Sequence, residues 1–153
     1  MHMETSHRAL LLVDDNEDDE LLTLDALRSS GVDQGIFVAR DGVEALDWLF
    51  GRGAHAGRDT TFMPDLVLLD LKLPKLNGLE VLAKMRADHR TRYIPTVVVS
   101  SSTQADDIAN SYRNGANSYI RKAVDFEKYS SSVQCLCEYW LQHNQICRMP
   151  ESV

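Results

Sequence analysis

The chain has no lysine or arginine run longer than two residues, and its acidic residues outnumber its basic ones 23 to 16. A formal net charge of −7 and a pI near 5.1 argue against a basic face, and so against non-specific nucleic-acid binding. Cysteine is scarce. Cys135, Cys137 and Cys147 are odd in number and crowd one end, which gives no disulfide framework and suits a reducing, cytoplasmic setting. Cys135 and Cys137 lie two apart on a predicted helix and face different ways. Further zinc ligands at the required spacings are missing. With 8 glycines and 4 prolines, a collagenous or low-complexity chain is excluded. The longest apolar stretches, Ala9–Val13 and Ile94–Val99, fall far short of the ~20 residues that span a bilayer. No apolar segment of signal-peptide type follows Met1, and Met1-His2-Met3 reads as a start with a cloning remnant.

What is present is ordinary globular composition: 153 residues, 44% hydrophobic and 25% charged. A chain this long buries roughly 70% of its unfolded surface and folds without a staple. Strand and helix patterns alternate. Arg8–Val13, Ile36–Ala39, Asp65–Leu69, Pro95–Val99 and Asn117–Ile120 are short apolar runs of strand length. Continuous runs of this kind suit parallel strands buried on both faces. Between and after them lie helical patterns. The first carries Leu21, Leu22, Leu24, Ala26 and Leu27 and closes at Gly31; the second runs through Val43–Phe50. The others are Gly78–Asp88, Ala105–Asn114 and Asp125–Gln142. Gly51–Thr61 reads as an irregular surface loop. Five strand–helix units predict an α/β fold, a doubly wound five-stranded parallel sheet of flavodoxin-like order 2-1-3-4-5. The expected domain covers 8–142, with an extension at 1–7 and a tail at 143–153.

Ligands of such sheets sit at the carboxyl ends of the strands, at the switch point. There the sequence places Asp14 and Asp15 after the first strand and Asp70 after the third. Ser100 ends the fourth strand, and Lys122 follows the fifth. Three carboxylates together repel unless a cation neutralises them, and a hard ion of the Mg²⁺ type is the natural occupant. Lys122 offers a point charge to a phosphoryl oxygen, and Ser100 a hydroxyl donor. No Ser/His or Cys/His pair stands at the strand ends, so the Asp70 carboxylate is the candidate nucleophile toward phosphorus. A strand-end Asp also serves simply to cap the next helix, but all five residues at five strand ends are not explained that way.

From about Ala9 to Leu141 the sequence resembles the receiver domain of two-component response regulators. The resemblance rests on Asp14-Asp15, on Asp70 in LLDLKLP, on Ser100 after VVV, on Lys122 after Tyr119, and on the 70-to-100 and 70-to-122 spacings. PDLVLLDLKLPKLNGLEVL, the long loop before it and EYW are similar to small receivers that partner bacterial phytochromes. The resemblance implies roles. Asp70 is the phosphoacceptor, and the donor is a phosphohistidine on a sensor kinase. Asp15, Asp70 and the carbonyl of Lys72 hold Mg²⁺, with Asp14 helping through water. Lys122 pairs with the phosphoryl group, Ser100 moves to bond it, and Tyr119 is the aromatic switch. Two positions depart from the family. Ala123 stands where proline usually follows the lysine, and a non-proline cis bond would cost ~3 kcal/mol. Lys72 places a basic residue where it bears on water access to the phosphoryl group.

Two other readings stay open. A haloacid-dehalogenase-like phosphohydrolase also uses a strand-end Asp with Mg²⁺, but wants a second Asp at the position of Lys72. A phosphorylation-independent interaction module of the same fold is the other. About a dozen residues follow Leu141, too few for a helix-turn-helix, so output is expected through protein contacts and not through DNA or membrane. Tyr112, Tyr119, Trp140, Ile146 and Met149 are the candidates for a homodimer interface built on helix 4, strand 5, helix 5 and the tail. His2, His7, His55, His89 and His143 lie away from every strand end and are expected on the solvated surface.

Overall fold

The computed structural model describes residues 9–32, 34–122 and 125–147. Five strands, β1 (Leu10–Val13), β2 (Ile36–Ala39), β3 (Leu66–Leu69), β4 (Thr96–Ser100) and β5 (Ser118–Arg121), form one parallel sheet of order β2-β1-β3-β4-β5. The expected strand order is therefore observed. The three inner strands are buried along their whole length, while β2 and β5 form the edges. Register is continuous across the middle, with Leu10 opposite both Ile36 and Leu66, and Val13 opposite both Ala39 and Leu69. Alternate residues feed two apolar layers. Leu11, Val13, Val67, Leu69 and Val98 meet α2 (Gly42–Phe50) and α3 (Gly78–Ala87). Leu10, Leu12, Leu66, Leu68, Val97 and Val99 meet α1 (Glu17–Ser29) and α5 (Phe126–Cys137). The remaining helix, α4 (Ala105–Arg113), buries only Ser111 completely.

Local chemistry sets the helix ends. Asn16, Asp41, Asn77 and Asp125 each accept a main-chain N–H from the first turn of the helix they precede. Asn77 and Glu80 complete a reciprocal capping box. At Gly31 (φ 87°) α1 stops as expected: the Gly31 N–H reaches Arg28 O at 3.0 Å and the Val32 N–H reaches Leu27 O at 2.9 Å.

Three sequence expectations change. The face that α1 turns inward is Glu20, Thr23, Ala26 and Leu27, and Leu21 and Leu22 are exposed. The polar pair is buried because it finds partners: Glu20 receives two bonds from the Arg40 guanidinium, and Thr23 shares a 2.7 Å hydrogen bond with the Tyr129 hydroxyl. The Gly51–Thr61 loop lies at the surface as expected, and it is tied back to α2. It holds a 3-10 turn at Gly53–His55, and Arg58 stacks over Trp48 while donating to the carbonyls of Trp48, Leu49, Asp59 and Phe62. His55 is correspondingly half-buried, edge-on to Phe37 and 3.4 Å from the Glu44 carboxylate, and so leaves the set of solvated histidines. The last helix is not one uniform element. After Cys137 it widens to a π-helical turn, Glu138–His143, in which the Asn144 N–H bonds Tyr139 O. That turn carries Leu141 into the core.

A second arginine clasps the far end of the sheet. Arg86, near the end of α3, donates to the carbonyls of Thr91, Arg92, Ile94 and Gly115 and to Asn117 Oδ1. One guanidinium thus ties the α3–β4 connection to the α4–β5 corner.

Candidate functional site

The site grows from the carboxyl ends of β1, β3, β4 and β5. Asp14 follows Val13 directly and is 2% exposed. Its Oδ1 accepts the Asn16 N–H at 3.0 Å, which folds the chain into the start of α1. Asp15 is exposed at the rim. Asp70 follows β3, its N–H bonded to Val13 O, so adjacent strands hold the two acidic groups together. The Asp70 Oδ1 accepts the Lys72 N–H at 3.3 Å. Behind this turn, Gly78 packs on the main chain of Asp70 and Leu71, where a Cβ atom would strike the Asp70 carbonyl.

Lys122 is the centre of charge. Its Nζ donates to Asp14 Oδ2 at 3.0 Å, Asp70 Oδ2 at 3.1 Å and Asp19 Oδ2 at 2.9 Å. Burial works against the ammonium. The charges of Asp70 and Asp14 and the bonds to Asp19 and Asp14 outweigh it, so the pKa of Lys122 rises above its ordinary value. Burial pushes the Asp14 carboxyl up to about 6. The Asn16 N–H and Lys122 pull it back only in part.

Asp14, Asp15 and Asp70 each offer an oxygen within 4.8 Å of the others. An all-oxygen donor set of this charge fits a hard divalent cation. Ser100 closes β4 and is buried, its Oγ accepting the Ser102 N–H at 3.1 Å. Beside it lies a cavity of about 330 Å³ lined in part by Lys72, Asn77, Ser100 and Asp107. Tyr119 is half-buried against the α2/α3 layer and donates its hydroxyl to Ser102 O at 2.9 Å.

Sequence reasoning therefore brought together Asp14, Asp15, Asp70 and Lys122, with Ser100 at their side. It missed Asp19, whose only signal is its place in the first turn of α1, one turn beyond the acidic pair. Of the interface candidates, Tyr112 is exposed on α4 and Ile146 is half-buried. Trp140 packs on the α1/α5 layer, on the opposite face of the sheet from Tyr119. Met149 and the Lys122–Ala123 bond lie outside the described residues. No helix among the described residues is long and apolar enough to cross a membrane.

Comparison with known proteins agrees with this geometry. The probable methanogenesis regulatory protein FilR2 of Methanothrix harundinacea is 40% identical over 136 residues, covering 89% of this chain and 85% of its own. The response regulator Rcp1 of Synechocystis is 33% identical over 135 residues, covering 88% and 90%. Its Mn²⁺-bound crystal structure superposes with a TM-score of 0.83, at 32% identity over 92% of this chain and 99% of that one. The phosphorylated cyanobacterial phytochrome response regulator RcpA gives a TM-score of 0.85 at 38% identity, covering 94% of this chain and 100% of its own. The response regulator receiver domain model matches residues 10–134. Residues that converge on Lys122 from two strand ends and α1 thus sit in the fold that this match describes, and the chain belongs to the response regulator receiver domain family.

Proposed function

We propose that this chain is a single-domain response regulator that accepts a phosphoryl group on Asp70 from a phosphohistidine of a sensor kinase. The observation that carries the reading is the cluster of Asp14, Asp15 and Asp70 at one end of the sheet, with the ammonium of Lys122 bonded to Asp14 and Asp70. An Asp70 carboxylate oxygen attacks phosphorus, the P–N bond of the donor breaks, and its electron pair stays on the imidazole nitrogen. Asp15, Asp70 and the Lys72 carbonyl would hold Mg²⁺, with Asp14 acting through water. A bound Mg²⁺ supplies charge neutralisation to the phosphoryl oxygens. Lys122 pairs with one of those oxygens. Ser100 turns from its bond with Ser102 toward another, and Tyr119 follows as the switch. The only chemistry assigned to the chain is the gain and loss of its own phosphoryl group.

The likeness to RcpA supports a phytochrome-type kinase as donor, and a cytoplasmic setting goes with this reading. The same reading gives a homodimer built on α4, β5, α5 and the tail, with Tyr112, Tyr119, Trp140, Ile146 and Met149 contributing. The exposure of Tyr112 and Tyr139 supports it. Light scattering of the full chain against a version ending at Leu141 tests the dimer, and a monomer mass for the full chain refutes it.

Asp70→Asn tests the acceptor. The amide is nearly isosteric and cannot attack phosphorus. The variant should fold and show no shifted band on Phos-tag electrophoresis after incubation with acetyl phosphate and Mg²⁺. A shifted band in the variant would place the acceptor elsewhere.

A further inference from the structure

We propose that Asp19 is a positioning residue that tethers Lys122 in the resting site and sets how fast the site takes up a phosphoryl group. This rests on the reading of Asp70 as the acceptor. An ammonium has three protons to donate. In this structure all three have carboxylate partners, Asp14 at 3.0 Å, Asp19 at 2.9 Å and Asp70 at 3.1 Å. Lys122 can therefore reach a phosphoryl oxygen only by releasing one of them. Asp14 is a poor one to release, because its side chain is 2% exposed and would keep only the Asn16 N–H, with no cation beside it. Asp70 carries the incoming group. Asp19 is different. Its side chain is 37% exposed, it stands in the first turn of α1, and water can solvate it once the ammonium leaves. Its N–H is held by the Asn16 cap, so α1 does not depend on its carboxylate. A negative group here also opposes the approach of an anionic donor. Both effects have the same sign: Asp19 slows uptake and keeps Lys122 in place until the group arrives.

The test is the rate of phosphoryl uptake from acetyl phosphate at fixed Mg²⁺, followed on Phos-tag gels. Asp19→Asn, which keeps shape and loses charge, should be phosphorylated about threefold to tenfold faster than the wild type. Asp19→Glu, which keeps the charge and can reach Lys122, should return to the wild-type rate. A residue that merely shaped the pocket would give slower uptake in the Asn variant, because Lys122 would be misplaced. Slower or unchanged uptake in Asp19→Asn overturns the proposal, and so does acceleration in both variants, since charge would then not be the cause. Those outcomes leave Asp70 as the acceptor untouched. Absence of uptake in the wild type would overturn both.

Discussion

The hydroxyl of Tyr119 is bonded to the main-chain carbonyl of Ser102 at 2.9 Å, so edge strand β5 holds down the loop that leaves Ser100. The same loop is tied from the other side, where the Ser102 hydroxyl bonds the Asp107 carboxylate of α4. Tyr119→Phe removes one tie and leaves the ring in its layer. The expected cost is about 1 kcal/mol in stability. Amide exchange of a peptide spanning 100–104 should quicken. Exchange equal to wild type would show that the hydroxyl does not restrain the loop.

A pH dependence follows from Asp14. Its carboxyl titrates near 6 in the folded chain against an ordinary 3.8, because it is buried. Between those values the folded form binds more protons than the unfolded one. Its contribution to stability therefore falls as pH rises through that window. The cost is absent below about 4, complete above about 6, and on the order of 2–3 kcal/mol. Other carboxylates slope the opposite way, Asp88 among them at about 2 through its bonds from Arg90. The measurement is thus a difference. Thermal unfolding of wild type and Asp14→Asn from pH 4 to 8 should show the variant gaining on the wild type as pH rises. Cation binding has the reverse dependence, since a ligand must be ionised, and Mg²⁺ affinity by calorimetry should rise through pH 6. Parallel stability curves would refute the assignment.

Gly78 supports the site from behind. A methyl group there meets the carbonyl of Asp70 and, at 2.7 Å, the Cα of Leu71, which are main-chain atoms that cannot rotate away. Gly78→Ala should lower stability by about 1–3 kcal/mol. It should also slow phosphoryl uptake, because the turn that aims Asp70 must shift. Urea unfolding and the uptake assay check the two effects. A variant normal in both would show that the turn yields without cost.

The sheet and four of the site residues were legible for one reason. Buried parallel strands are written as unbroken apolar runs, and the first polar residue after the β1 and β3 runs, Asp14 or Asp70, marks the rim, while Lys122 follows the last residue of edge strand β5. Ser100 closes the β4 run in the same way. Asp19 was not legible, because its partner lies 103 residues away and only the folded sheet brings them within 2.9 Å. The inner face of α1 was misread for a related reason. Glu20 and Thr23 look like surface residues until Arg40 and Tyr129 arrive from other elements to satisfy them, and Leu21 and Leu22 then turn outward. Arg58 shows the same limit. In sequence it is one charge in a polar loop, and in the fold it holds the carbonyls that end α2.

The Arg86 clasp gives α4 a fixed end and a loose one. Its C-terminal corner is pinned through Gly115 and Asn117. The rest of its nine residues buries only Ser111, and its N-terminal end hangs from the Ser100–Gln104 loop. A disturbance at that loop is therefore delivered as a tilt about the pinned corner, greatest at Ala105 and vanishing at Gly115. The arm of this lever is the helix itself, about 14 Å at 1.5 Å per residue.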